Sequence, residues 1–239
     1  MEQKMHTPEG VRDIYNRECE TKIAIQKKLS TVLHLYGYQD IQTPTFEYDD
    51  VFRKEIGSTS TKELYRFFDR EGNILTLRPD ITPSVARAAA TLFETEDFPI
   101  RLCYAGNTFT NHMSYQGRLK ENTQLGAELI GLDSIEADAE MLAMVVDGLK
   151  RTGLKEFQVN IGHVDFIQSL LEATGLEDDE MDEIRTLINN RNYFGVEEIL
   201  DNRSVKESVK EAFHILPELM GGPEILESAA RIAPSAEAR

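Results

Sequence analysis

The chain has 239 residues, 41% of them hydrophobic and 28% charged, and a formal net charge of −16. That length holds one large domain or one domain with a small appendage. The acidic balance argues against a nucleic-acid binder, which needs a basic footprint to neutralise phosphates and release counterions.

In chain order, the spacing predicts a first helix over 17–36. Asn16 is its expected cap, Glu18 and Glu20 lie in its first turn, and Gly37 stops it. Ile25, Leu29, Val32, Leu33 and Tyr36 follow helical spacing and define a buried face. A strand over 38–43 then meets Pro44. The stretch Gly57-Ser-Thr-Ser-Thr61 is a polar loop; it lacks the Gly-Lys signature of a phosphate cradle and reads as solvated. Strands over 65–69 and 74–77 form a hairpin around Arg70-Glu-Gly-Asn73, where Gly72 and Asn73 accept positive φ. Pro79 bars helix for Arg78, so the chain reaches Asp80 extended. Thr82 is the natural cap of the next helix and Pro83 suits its first position, with Val85, Ala86, Ala89, Leu92 and Phe93 as the apolar stripe.

Strands over 100–104 and 122–130 are expected to pair around a polar loop, 107–120. Ser134 caps a helix to 151 that ends at Gly153, with Met141, Leu142, Val145, Val146 and Leu149 facing inward. Phe157, Val159 and Ile161 alternate as a strand. From 164 the pattern turns helical, with an acidic run from Glu177 that reads as a solvated face. Breaks fall at Asn189-Asn190, Asn202, Pro217 and Gly221-Gly-Pro223. The expected division is an α+β core over 1–175 and a helical segment over 176–239.

Residues 78–131 concentrate the chemistry. Asp80 and the Thr82 hydroxyl sit beside a helix N-terminus, where polar ligands collect. Gln124, Gly126 and Glu128 share one face of their strand under two-residue alternation, although on pattern alone an ordinary solvated sheet face is the better explanation. Elsewhere, Cys19 and Cys103 lie in apolar contexts and read as buried free thiols of a reducing compartment. The five histidines, at positions 6, 34, 112, 163 and 214, show no metal-ligand spacing, so neither metal nor cofactor is expected. With no apolar core near Met1 and no run of membrane-spanning length, the chain reads as cytoplasmic.

The ordered set Pro8-Glu-Gly-Val-Arg-Asp13, Tyr36-Gly-Tyr38, Thr43-Pro-Thr-Phe-Glu47, Leu77-Arg-Pro-Asp-Ile-Thr82 and Gln124-Leu-Gly-Ala-Glu128 resembles the class II aminoacyl-tRNA synthetase core, specifically histidyl-tRNA synthetase. It is closer still to that enzyme's non-synthetase paralogue, the ATP phosphoribosyltransferase regulatory subunit of histidine biosynthesis. No single piece is decisive, but the order is specific. The resemblance implies an antiparallel sheet flanked by helices, a homodimer through the first helix-strand-proline unit, and a histidine pocket. In that pocket Asp80 receives the ammonium group, Thr82 lies beside it, and Gln124 and Glu128 contact the ligand. The implied partner is a short-form ATP phosphoribosyltransferase catalytic subunit, with histidine as effector.

The departures concern the nucleotide. Thr110 stands where the synthetase pattern has the arginine that grips the ATP α-phosphate, His112 where it has glutamate, and Asn122 where it has the phenylalanine expected against adenine. Arg118 is retained as a candidate nucleotide contact. These changes point to a non-catalytic regulatory subunit; a histidine-activating enzyme and a stand-alone amino-acid-sensing module are the alternatives. The family pattern continues past such a helical segment into a Gly-rich strand and a final motif, and the chain reaches Arg239 without either. A truncated form and a lineage lacking half the pocket both fit that ending.

Overall fold

The computed structural model describes residues 6–53, 61–95, 98–112 and 117–234. Most of the loop expected over 57–61 therefore lies outside the described residues. The chain forms two compact units, Met1–Gln158 and Val159–Arg239.

In the first unit, α1 spans Asn16–Leu35. Its cap is Tyr15, with extended backbone and no side-chain cap bond, and Asn16 is already helical in position with φ 51. The cap expected at Asn16 is thus displaced by one residue. Gly37, at φ 86, turns the chain as its lack of a Cβ allows, and leads to β1, Gln39–Asp40, shorter than the strand expected over 38–43. Next come β2, Phe46–Tyr48, and the short α2, Asp50–Arg53. The predicted hairpin forms between β3, Arg66–Phe68, and β4, Ile74–Leu77, with Phe67 opposite Leu75. Only Gly72 takes positive φ there; Asn73 instead is held by its backbone and side-chain N–H groups on the Asp69 carboxylate.

Two three-stranded sheets result, in the orders β2-β4-β3 and, with β5 spanning Ile100–Phe109 and β6 spanning Glu121–Ile130, β1-β5-β6. All pairs are antiparallel except β1 with β5. The β5–β6 ladder runs on to Phe109 opposite Glu121, so the polar loop begins later than the expected residue 107. Backbone pairing carries polar residues such as Asn107 and Thr123 into the ladder because their side chains bond to one another across it, Thr123 Oγ1 donating to Asn107 Oδ1 at 3.0 Å.

Helices close both sheets. Thr82–Leu92 forms α3, which buries Pro83, Ser84, Val85 and Ala88. The expected stripe is therefore rotated: Ala86 and Leu92 are exposed. Arg87 of α3 places Nε and Nη2 at 3.1 and 2.8 Å from Glu47 Oε1 on β2. Ile135–Thr152 forms α4, capped by Ser134, whose Oγ accepts from Ala137 N at 3.2 Å, and ended by Gly153 at φ 106. Its buried side carries Ala137, Met144 and Gly148, with Met141 partly buried, whereas Val145 is 49% exposed. Small residues let α4 approach α1 closely; a Cβ on Gly148 would lie 3.2 Å from Leu29 Cδ2. Glu140 of α4 then accepts from Arg101 Nε and Nη2 on β5 and from the Tyr38 hydroxyl.

The N-cap of α4 gives a direct check on this packing. Ser134→Ala should cost about 1 kcal/mol, read as a lower urea midpoint at unchanged slope.

Residues Phe157, Val159 and Ile161 form no strand, and Ile161 is 75% exposed. Alternation alone does not make a strand, which needs a partner ladder, and among the described residues this stretch joins no strand ladder. The second unit comprises α5 Val164–Thr174, α6 Asp178–Asn189, α7 Tyr193–Asp201, α8 Glu207–Ile215 and α9 Leu226–Ile232. Leu170 and Leu171 of α5 share a core with Ile184, Val196, Leu200 and Phe213. Residues 159–175, assigned to the core when the boundary is read from the sequence at 175/176, thus belong to the second unit. Among the described residues no helix is long and apolar enough to cross a membrane.

Candidate functional site

The site grows from the turn that joins β4 to α3. Arg78, buried at the end of β4, donates from Nε to Asn107 O at 2.8 Å and from Nη1 to Thr43 O and Pro44 O at 2.9 and 3.2 Å. One guanidinium thereby ties three chain segments together. Burial lowers its pKa from the ordinary arginine value, but the neighbouring Glu47 opposes that shift. Gly106 makes the approach possible, since a Cβ there would lie 2.3 Å from Arg78 Nη2.

Asp80 follows, and the cap position the sequence assigns to Thr82 falls instead on Ile81, whose side chain makes no cap bond, so that the Asp80 carboxylate serves the N–H groups at the helix start. Its Oδ1 accepts from Ile81 N at 2.7 Å, from Thr82 N at 3.3 Å and from Gln124 Nε2 at 2.8 Å. Gln124 closes the loop by accepting at Oε1 from Ile81 N at 3.1 Å. Thr82 is released from capping and donates its hydroxyl to Glu128 Oε1 at 2.7 Å. Carboxylate capping explains the exchange: a charged acceptor makes stronger bonds to the free N–H groups of a helix start than a hydroxyl does.

Asp80, Thr82, Gln124 and Glu128 are therefore joined in one hydrogen-bonded group, each half-buried. A fifth member, Tyr104, is missed by reading it as a plain strand residue. It is buried, lies opposite Gly126 in the ladder, and donates to Glu128 Oε1 at 3.1 Å. Burial, with Glu128 beside it, holds the phenol well above the ordinary tyrosine range, so it stays a donor. The available signal was Gly126 between Gln124 and Glu128: a Cβ there would lie 2.5 Å from the Tyr104 hydroxyl, so the glycine makes room for a large cross-strand neighbour.

The two carboxylates are each half used. Asp80 Oδ1 and Glu128 Oε1 take all the hydrogen bonds, and among the described residues Asp80 Oδ2 and Glu128 Oε2 have no partner. Such a pair can accept N–H donors from a cationic ligand while its geometry is fixed from behind.

The remaining sequence candidates lie apart from this group. The Thr110 backbone N–H donates to Lys120 O at 2.9 Å, His112 Nδ1 lies 3.3 Å from Glu63 Oε1, and Asn122 Nδ2 donates to Leu119 O at 3.2 Å. Arg118 is exposed and makes no hydrogen bond or ion pair among the described residues.

A long antiparallel pair backed by helices, with a polar group at the β4–α3 turn and a helical second unit, is the architecture of the class II synthetase-like proteins. The histidyl-tRNA synthetase family model matches residues 10–239, and the chain belongs to that family. It is 38% identical over 226 residues to the ATP phosphoribosyltransferase regulatory subunit of Acetivibrio thermocellus, covering 95% of this chain and 54% of that protein. The Geobacter metallireducens regulatory subunit is 39% identical over 233 residues, covering 97% of this chain and 54% of its own. A crystal structure described as an ATP phosphoribosyltransferase regulatory subunit/histidyl-tRNA synthetase from Bacillus halodurans superposes with a TM-score of 0.88 at 32% identity, over 98% of this chain and 61% of that one. The chain spans about half the length of the regulatory subunits it matches.

Proposed function

We propose that the chain belongs to a non-catalytic regulatory subunit that assembles with a short-form ATP phosphoribosyltransferase at the first step of histidine biosynthesis and carries its histidine feedback. The observation that bears the reading is the pair of half-used carboxylates, Asp80 and Glu128, fixed by Gln124, Thr82 and Tyr104. Histidine offers an ammonium group and an imidazole N–H, and each needs an acceptor held in place. The names of the relatives support the regulatory role.

The nucleotide side supports it too. At the positions where the family resemblance puts a phosphate-gripping arginine, a glutamate and an adenine-stacking ring, this chain has Thr110, His112 and Asn122. Thr110 supplies no bidentate guanidinium, and Asn122 supplies no aromatic face. A homodimer through α1, β1 and the Pro44 segment belongs to the same reading. Its support is an apolar surface: Ile23 and Leu35 on α1 are exposed, as are Phe46 and Tyr48 on β2, at 50% and 59%.

Asp80→Ala and Glu128→Ala should each weaken histidine binding by roughly one to two decades, the worth of a charge-assisted hydrogen bond of about 1.5 to 3 kcal/mol. Assembly with the transferase should be unchanged. Titration calorimetry on the assembled complex reads both, and unaltered histidine affinity in both variants would move the feedback site elsewhere.

A further inference from the structure

On the opposite face of β5 from Tyr104, the fold gathers three metal-ligating side chains that lie far apart in sequence. His34 sits in the last turn of α1, Asp40 on β1, and Cys103 on β5, where it is the register partner of Asp40. One ligand atom from each lies within 4.8 Å of the other two. His34 Nε2 is 3.1 Å from Asp40 Oδ2, and Cys103 Sγ is 3.5 Å from Asp40 Oδ1. Sequence spacing gives no hint of this, because the parallel β1–β5 pairing alone brings Asp40 to Cys103.

We propose that His34, Asp40 and Cys103 form a divalent-metal site of the zinc class, with a fourth position open to water. A tetrahedral ion bonded at about 2.0 Å to nitrogen or oxygen and about 2.3 Å to sulfur keeps its donors roughly 3.3 to 3.8 Å apart. The two separations to Asp40 lie near that range, and the third, within 4.8 Å, closes by rotation of the exposed His34 side chain. One thiol, one imidazole and one carboxylate suit zinc or cobalt, whereas calcium and magnesium select oxygen-only sets. Cys103 is buried and forms the floor, while the His34 and Asp40 side chains are 47% and 70% exposed and leave the outer side open to the ion.

Burial and the adjacent Asp40 push the Cys103 thiol up to about 11, so without metal it is a protonated packing residue. Metal binding converts it to thiolate and releases that proton to solvent. The site would clamp the end of α1 to the sheet. Because it lies on the other face of β5 from Glu128, it is independent of the histidine reading.

The test uses the full chain and the metals alone. Zinc should bind in competition with a chromophoric chelator at one equivalent, and cobalt should give a near-ultraviolet thiolate-to-metal charge-transfer band. Cys103→Ser should abolish the band, and His34→Gln, at an exposed position that leaves the core untouched, should weaken zinc binding at least about tenfold. Zinc should also raise the melting temperature of the unsubstituted chain but not of His34→Gln. No charge-transfer band, or equal zinc affinity in the unsubstituted chain and His34→Gln, would overturn the assignment.

Discussion

Arg78→Met should lower stability by about 3 to 5 kcal/mol, because it leaves several buried carbonyls unsatisfied at about 1 to 3 kcal/mol each. The methionine keeps most of the apolar stem, so the loss isolates the guanidinium. It leaves Thr43 O, Pro44 O and Asn107 O without that donor, and water has little access to replace it. The melting temperature followed by circular dichroism should fall by about 6 to 20 °C, given roughly 2 to 4 °C per kcal/mol for a chain of this size. A fall of under about 2 °C would mean that the β4–α3 turn is held by its backbone bonds alone, including Arg78 N to Thr45 O and Phe109 N to Arg78 O.

Histidine-dependent exchange of pyrophosphate into ATP should be at least about 10²- to 10³-fold slower than for an authentic histidyl-tRNA synthetase. That is the usual cost of removing one preorganised electrostatic stabiliser, about 2.7 to 4 kcal/mol of barrier. Thr110 carries no charge to replace a phosphate clamp, and Asn122 spends an amide N–H on Leu119 O. Exchange at a synthetase-like rate would assign catalysis to the chain and defeat the non-catalytic reading.

The positions that sequence periodicity reads well are those set by local chemistry. Ser134 and Gly153 bound α4 as expected, because a cap and a left-handed stop act within a few residues. The hairpin around Gly72 and the helix breaks at Asn190, Asn202 and Pro217 are legible for the same reason. Misreadings come from choices that tertiary partners make. Thr82 is a sound cap in isolation, but in the fold the cap position falls one residue earlier, at Ile81; Asp80 serves the N–H groups of Ile81 and Thr82, and Glu128 takes the Thr82 hydroxyl. Val145 fits an apolar stripe on α4, but the close approach of α1 selects the smaller Ala137 and Gly148 face. The strand through Phe157 and Ile161 needs a partner that periodicity cannot supply.

The candidate site follows the same division. Two-residue alternation brings Gln124 and Glu128 to one face, and the Arg78-Pro79 geometry brings Asp80 and Thr82 to a helix start. Their union depends on the β5–β6 register and on Tyr104 crossing over Gly126. Cys103 and Asp40 meet through a parallel pairing with a strand only two residues long, which no local pattern announces.

The central claim is tested most directly by mixing the chain with a short-form ATP phosphoribosyltransferase and following size and activity together. The account predicts one larger species on size-exclusion chromatography with light scattering, raised transferase activity, and inhibition by histidine that Asp80→Ala blunts. Two independent peaks, with transferase activity and histidine response unchanged by mixing, would contradict it.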